Sequence, residues 1–259
     1  MTTSDLANNL IHYIRSTMNQ SLSIPFDFSL TPFEIDNIVG RLNSTAIINT
    51  TNAFLMVVSP DEENDTIIGL SFQSNAGGQL IRNSNQYEFI NSNLSVLAMI
   101  SPDSLRDVTH LNMLLIDKPD YYHHFTNSTN EILLSAIIVA KIQRNQSSFE
   151  RMNISLYFTK QWNDDLIETA TGYFVCSYYD TNYSRWNESG CTLPVYNAMF
   201  SRYECHCNHL TTFALLYRIN SSSSTTISTQ ESTISSSVTT LSQTSTSLET
   251  TTVEQTTGR

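Results

Sequence analysis

The 259-residue chain is poor in charge, and poorest in positive charge. Charged residues make up 14% of it, against about 25% in an average globular protein. Lys and Arg number 13 and Asp and Glu 24, giving a formal net charge of −11. A phosphate backbone repels such a chain, so nucleic-acid binding is excluded. No run approaches the roughly 18 consecutive apolar residues that a membrane-spanning helix requires. Glycine occurs only seven times, and nowhere as a phosphate-binding loop. Met1 to Gln20 lacks the basic run and apolar stretch of a secretory leader. Cysteine is missing from all but one segment: Cys176, Cys191, Cys205 and Cys207 fall within 32 residues. An even number packed so closely reads as two disulfides or as a metal site.

Compartment follows from two further patterns. Asn-x-Ser/Thr acceptors stand at Asn19, Asn43, Asn49, Asn64, Asn93, Asn127, Asn145, Asn153, Asn182, Asn187 and Asn220, although an Asn-, Ser- and Thr-rich chain supplies several by chance. With the clustered cysteines they favour an oxidising, extracellular setting. Without a leader, the chain is expected to be a piece of a longer extracellular protein or of an incomplete gene. After Asn220 the composition changes abruptly, 25 of the 39 residues from Ser221 to Arg259 being Ser or Thr. Such a segment buries too little apolar surface to offset its ordering entropy, so a disordered linker or O-glycosylated stalk is expected.

Upstream, Leu6, Leu10 and Ile14 recur one turn apart and predict a helix over Ser4–Met18. Thr31-Pro32 opens a second helix carrying Phe33, Ile35, Ile38, Val39 and Leu42. From Thr66 the pattern turns to short apolar runs at Ile67–Phe72, Ser95–Ile100, Asn153–Phe158 and Thr171–Cys176, separated by turn residues. Glu131–Ile142 suits a strand or a helix equally. Many short strands at roughly ten-residue spacing predict an antiparallel β-sandwich, mainly β, with a short helical N-terminal part.

The most specific stretch is Cys205-His206-Cys207-Asn208-His209-Leu210-Thr211-Thr212-Phe213-Ala214. Residues two apart on a strand share a face, so Cys205 and Cys207 point the same way, and a bridge between them would be strained. Two of the three pairings of four cysteines avoid it. The stretch closely resembles the proteolysis-site (GPS) motif of GAIN domains, found in adhesion G-protein-coupled receptors and polycystin-like proteins. Upstream, Cys176-Ser-Tyr-Tyr-Asp180 resembles that family's Cys-x-aromatic-Trp-Asp, and Trp186-Asn-Glu-Ser-Gly-Cys191 its Trp-x-x-x-Gly-Cys. Tyr179 stands where the family has tryptophan. Trp186, Tyr179 and Gly190 are thereby assigned structural roles. Of the two open pairings, the resemblance implies Cys176–Cys205 and Cys191–Cys207. It also implies a truncated helical subdomain A over 1–55, a subdomain B sandwich over 56–220 with the motif at 171–219, and the tail over 221–259.

The resemblance further implies chemistry. His209 would act as general base, Thr211 as nucleophile, and the carbonyl of Leu210 would be attacked in an N-to-O acyl shift that cuts the chain between Leu210 and Thr211. Such cutting is a single turnover without a cofactor, which makes the chain its own substrate and not a multiple-turnover enzyme. The strand Thr211, Thr212, Phe213, Ala214, Leu215, Leu216 would stay bound to the rest. It is the family's tethered agonist for a transmembrane signalling domain, expected here only in a longer, membrane-attached, cell-surface product; the extracellular ligand is not indicated. A non-cleaving, disulfide-pinned adhesion or stalk module is the rival reading.

Other patterns compete less well. Cys205, Cys207 and His209 with Cys191 would make a zinc set, but structural zinc wants tight ligand pairs, and no metal is expected. His206 is expected on the surface, opposite His209. His123-His124 has no carboxylates to complete a metal pair. Neither Asp61-Glu62-Glu63 nor Asp164-Asp165 has the alternating ligands of a calcium loop. Trp162 reads as a packing residue.

Overall fold

The computed structural model describes residues 3–18, 30–61, 67–74, 76–83, 86–92, 94–117, 130–144, 152–161 and 171–220. The Ser/Thr-rich tail, His123-His124, Glu62-Glu63, Trp162 and Asp164-Asp165 lie outside the described residues.

Two helices open the chain. Helix α1 spans Thr3–Met18 and α2 spans Pro32–Gly40. At the start of α2, Thr31 and Glu34 form a reciprocal capping box ahead of Pro32, which satisfies backbone donors that the first turn leaves unpaired. Fourteen strands follow among the described residues. They are β1 (Ala46–Asn49), β2 (Ala53–Val58), β3 (Ile68–Gln73), β4 (Gly77–Arg82), β5 (Val96–Ile100), β6 (Val108–Ile116) and β7 (Glu131–Leu133). Then come β8 (Ile137–Arg144), β9 (Ile154–Thr159), β10 (Gly172–Asp180), β11 (Arg185–Asn187), β12 (Val195–Asn197), β13 (Arg202–Cys207) and β14 (Thr212–Ile219). A short helix α3, Gln86–Ile90, lies between β4 and β5.

The strands form two antiparallel sheets, as the sandwich reading requires. The first runs β1-β2-β6-β8-β14-β10-β11, with β7 also paired to β14; the second runs β12-β13-β9-β5-β3-β4. One core fills the space between them, built from residues such as Phe54, Met56, Phe72, Leu115, Phe158 and Leu215. A second core lies on the other face of the first sheet, where Leu10, Ile14, Ile35 and Val39 of the helices meet Leu55, Leu114, Val139 and Ala214. The first sheet is therefore the middle layer, buried on both sides. This explains why β2, with all six residues buried, shows no alternation and lies ahead of the point where the sequence pattern turns to strands. The Glu131–Ile142 segment resolves into β7 and the start of β8, interrupted at Leu134-Ser135-Ala136.

Helix α2 is fixed to the middle sheet by more than apolar packing. The Asn112 side chain on β6 donates to the carbonyls of Val39 and Leu42, and that of Gln143 on β8 donates to those of Gly40 and Leu42. These bonds satisfy carbonyls that a helix end leaves unpaired.

Candidate functional site

Strand β13 ends the second sheet's contribution at Cys207, and β14 begins in the first sheet at Thr212. Asn208-His209-Leu210-Thr211 is thus the crossover from one layer of the sandwich to the other. Both of its ends are held. Before it, disulfides Cys176–Cys205 and Cys191–Cys207 tie β13 to β10 and to the 188–192 turn. The first bridge spans the two sheets within the inter-sheet core. All four cysteines are consumed in these bridges, so no thiolate remains for zinc. After it, β14 runs between β8 and β10 and alternates its side chains between the two cores. Phe213 and Leu215 face the second sheet, while Ala214 and Leu216 face the helices.

Within the crossover, backbone bonds fix the first and last residues. The Asn208 N–H donates to the Gly190 carbonyl at 2.9 Å, and the Ala140 N–H of β8 donates to the Thr211 carbonyl at 2.9 Å. Gly190 sits directly beneath Asn208 and His209. Its φ of +83° is one that L residues with a Cβ rarely adopt. A Cβ placed there would lie 2.5 Å from Asn208 Oδ1 and 3.1 Å from His209 Nδ1. Glycine is needed both for its backbone angle and for its lack of a side chain.

The His209 ring is half-buried and enclosed by aromatic rings. Tyr178 meets it edge-on, centroids 4.4 Å apart, and Phe213 lies 5.5 Å away at a tilt. Nδ1 is 3.2 Å from Asn208 Oδ1, and because an amide oxygen only accepts, this contact is a hydrogen bond in the tautomer that carries the proton on Nδ1. Nε2 is buried and has no hydrogen-bond partner among the described residues. Burial pushes the pKa of His209 below its ordinary value, and the positive charge of Lys141 pushes it further down. Both effects keep the imidazole neutral, with its basic nitrogen unoccupied. Leu210 packs against the inter-sheet core. No hydrogen bond joins His209 to Thr211 among the described residues.

The remaining expected residues fall into place around this crossover. Tyr179 and Trp186 pair across β10 and β11, their rings edge-to-face at 5.4 Å, both buried in the core under the helices. The tyrosine in the tryptophan position is therefore packed, not loose. His206 is exposed, its Nδ1 3.0 Å from Ser155 Oγ, and points away from His209. Two residues near the crossover were not singled out by the sequence, Asp36 and Lys141, and Tyr178, the aromatic of the Cys176–Asp180 stretch, was given no role there. Thr212, the residue after Thr211, donates from Oγ1 to Asp36 Oδ1 at 3.3 Å, and Asp36 pairs with Lys141. Asp36 is charged yet lies between Ile35 and Val39 on the buried stripe of α2, and that conflict of pattern was the available signal.

Comparison with known proteins gives a family match and matches to several solved chains. The family described as GPS, GAIN subdomain B, matches residues 50–221. The full extracellular region of zebrafish Gpr126/Adgrg6 resembles 69% of this chain at 18% identity, with a TM-score of 0.42. The match spans 25% of that structure's chain. No curated protein shows significant similarity to the chain.

Proposed function

Because the chain belongs to the GAIN subdomain B (GPS) family, we propose that it cuts itself once, between Leu210 and Thr211, and keeps the two pieces together. The observation that carries this reading is His209 Nε2: a buried, unpartnered nitrogen on a neutral imidazole, two residues from a threonine hydroxyl. A neutral imidazole is a competent base near pH 7, and a hydroxyl needs such a base before it attacks. Nε2 takes the Thr211 proton as Oγ1 attacks the Leu210 carbonyl carbon. Collapse of the tetrahedral intermediate breaks the Leu210–Thr211 amide, whose nitrogen receives the proton and leaves as the amine. Leu210 is then esterified to Thr211 Oγ1. Water hydrolyses this ester, leaving a carboxylate on Leu210 and a free amine and hydroxyl on Thr211. The closing of His209 on Thr211 to hydrogen-bond distance belongs to the reacting state.

The pieces stay together because β14 is an interior strand. Phe213, Leu215 and Leu216 are each fully buried, contributing roughly 1.5–3 kcal/mol apiece, and the strand is hydrogen-bonded on both sides. In this reading the domain works outside the cell, next to the transmembrane part of a longer product, and the strand from Thr211 to Leu216 is the segment handed over when the pieces separate.

The test is secretory expression, removal of glycans, and denaturing electrophoresis with mass spectrometry. Two pieces are expected, the smaller beginning at Thr211. Thr211→Ala is expected to leave one folded, uncut chain, Thr211→Ser to keep cutting, and His209→Ala to slow it strongly. A single intact band from folded wild-type protein would overturn self-cleavage and leave a disulfide-pinned spacer.

A further inference from the structure

Asp36 is the least expected residue in the helical layer. It is a carboxylate in the apolar interface between α2 and the middle sheet, 6% exposed, and 176 positions from its partner Thr212. A buried carboxylate is retained at a cost unless its neighbours compensate. Lys141 of β8 supplies the opposite charge, and the Thr212 hydroxyl supplies a donor. The three side chains come from α2, β8 and β14, so one carboxylate joins the helical layer to two adjacent strands of the sheet.

Its location gives the group a bearing on the crossover. Thr212 is the first residue of β14, and the residue before it is Thr211. Among the described residues, Thr211 itself is held through its carbonyl, by the Ala140 N–H one residue before Lys141. Helix α2 cannot drift to follow Thr212, because Asn112 and Gln143 hold the carbonyls at its C-terminal end. Asp36 is therefore a fixed point against which Thr212 is set. Attack within a tight turn tolerates little error, since a displacement of about 1 Å can cost 10²-fold in rate.

We propose that Asp36 is a positioning residue for the scissile crossover: held by Lys141, it grips the Thr212 hydroxyl and so sets where Thr211 stands. This deepens the self-cleavage reading and rests on it for its consequence, though the positioning itself has a separate readout. The group also makes the helical layer a determinant of cutting, without any helical residue touching the reacting atoms.

The experiment uses the full chain. Thr212→Val removes the donor at nearly constant volume and leaves the Asp36–Lys141 pair in place; Thr212→Ser restores the hydroxyl. Asp36→Asn is the second variant should the first fold poorly. Cutting is followed by gel after synthesis is stopped. In parallel, hydrogen exchange of the Ala140 and Thr212 amides is measured in a Thr211→Ala background, where the chain remains whole. Thr212→Val is expected to cut about tenfold more slowly or worse, with faster exchange at both amides, and Thr212→Ser to stay within about twofold of wild type. Wild-type cutting in Thr212→Val overturns the proposal, as does slowed cutting with unchanged exchange, because the effect then does not pass through position. If wild type never cuts, the self-cleavage reading fails by itself and exchange alone decides: faster exchange sustains positioning by Asp36, and unchanged exchange overturns it.

Discussion

Replacing Gly190 with alanine tests the support of His209, the proposed general base, without replacing it. Two costs follow. A residue with a Cβ at φ +83° carries left-handed strain of about 1–2 kcal/mol. The added methyl would also lie 2.5 Å from Asn208 Oδ1, where ordinary contact begins near 3.4 Å, so atoms must separate by 3.4 − 2.5, about 0.9 Å. The Asn208 side chain is exposed and yields first, but it carries the contact to His209 Nδ1, and His209 itself would be 3.1 Å from the new methyl. The imidazole therefore loses its orienting acceptor and must itself give way by a few tenths of an ångström. A shift approaching 1 Å at a catalytic base costs up to about 10²-fold. The expected outcome is a folded domain, slightly lower in melting temperature, that cuts at least about tenfold more slowly in a timed electrophoretic assay. Wild-type cutting in a folded Gly190→Ala chain would refute the role assigned to this glycine.

Two further perturbations follow from the same geometry. The pKa of His209 is lowered on folding, so between its folded value and the ordinary value near 6.5 the unfolded chain binds the extra proton. Stability contributed by the neutral ring is complete above pH about 6.5 and declines on acidification, and the cutting rate should be flat above that point, with its midpoint below it; a midpoint above 6.5 in a pH–rate profile would contradict a desolvated base. Replacing both Cys176 and Cys205 with alanine removes the inter-sheet bridge, whose 29-residue separation corresponds to about 3–4 kcal/mol of loop entropy in the unfolded chain. Calorimetry should show a fall of about 10 °C, and an unchanged transition would mean that the sandwich core alone holds β10 to β13.

The site was more legible in the sequence than the layers around it, for a physical reason. Cysteines spaced two apart, a histidine, a threonine and a glycine each have chemistry that a packed fold rarely uses without cause, and together they marked Cys176 to Leu216. Both disulfide pairings implied by the motif are present, and Thr31 and Pro32 correctly announced a helix start. What stayed hidden depended on contacts between distant segments. Strand β2 is apolar on both faces, so it lacks the period of two that marks a half-buried strand. The break at Leu134–Ala136 is imposed by where β7 and β8 join β14, and the local residues do not signal it. Asp36 acquires meaning only once α2 is laid over Thr212 and Lys141.

The placement of β14 has a mechanical side. The strand is flanked by β8 and β7 on one edge and by β10 on the other, antiparallel to all of them. Tension drawn from Asn220 along the strand axis loads these rungs side by side, so many must fail together. The ion pairs from Arg218 to Glu131 and Glu188 brace the end nearest the pull. Tension directed across the sheet would instead peel the rungs one at a time, beginning beyond Arg218. Under the proposed cut before Thr211, the strand would be held against axial load as a shear joint, and the angle of the applied force, more than its size, would govern whether it is withdrawn.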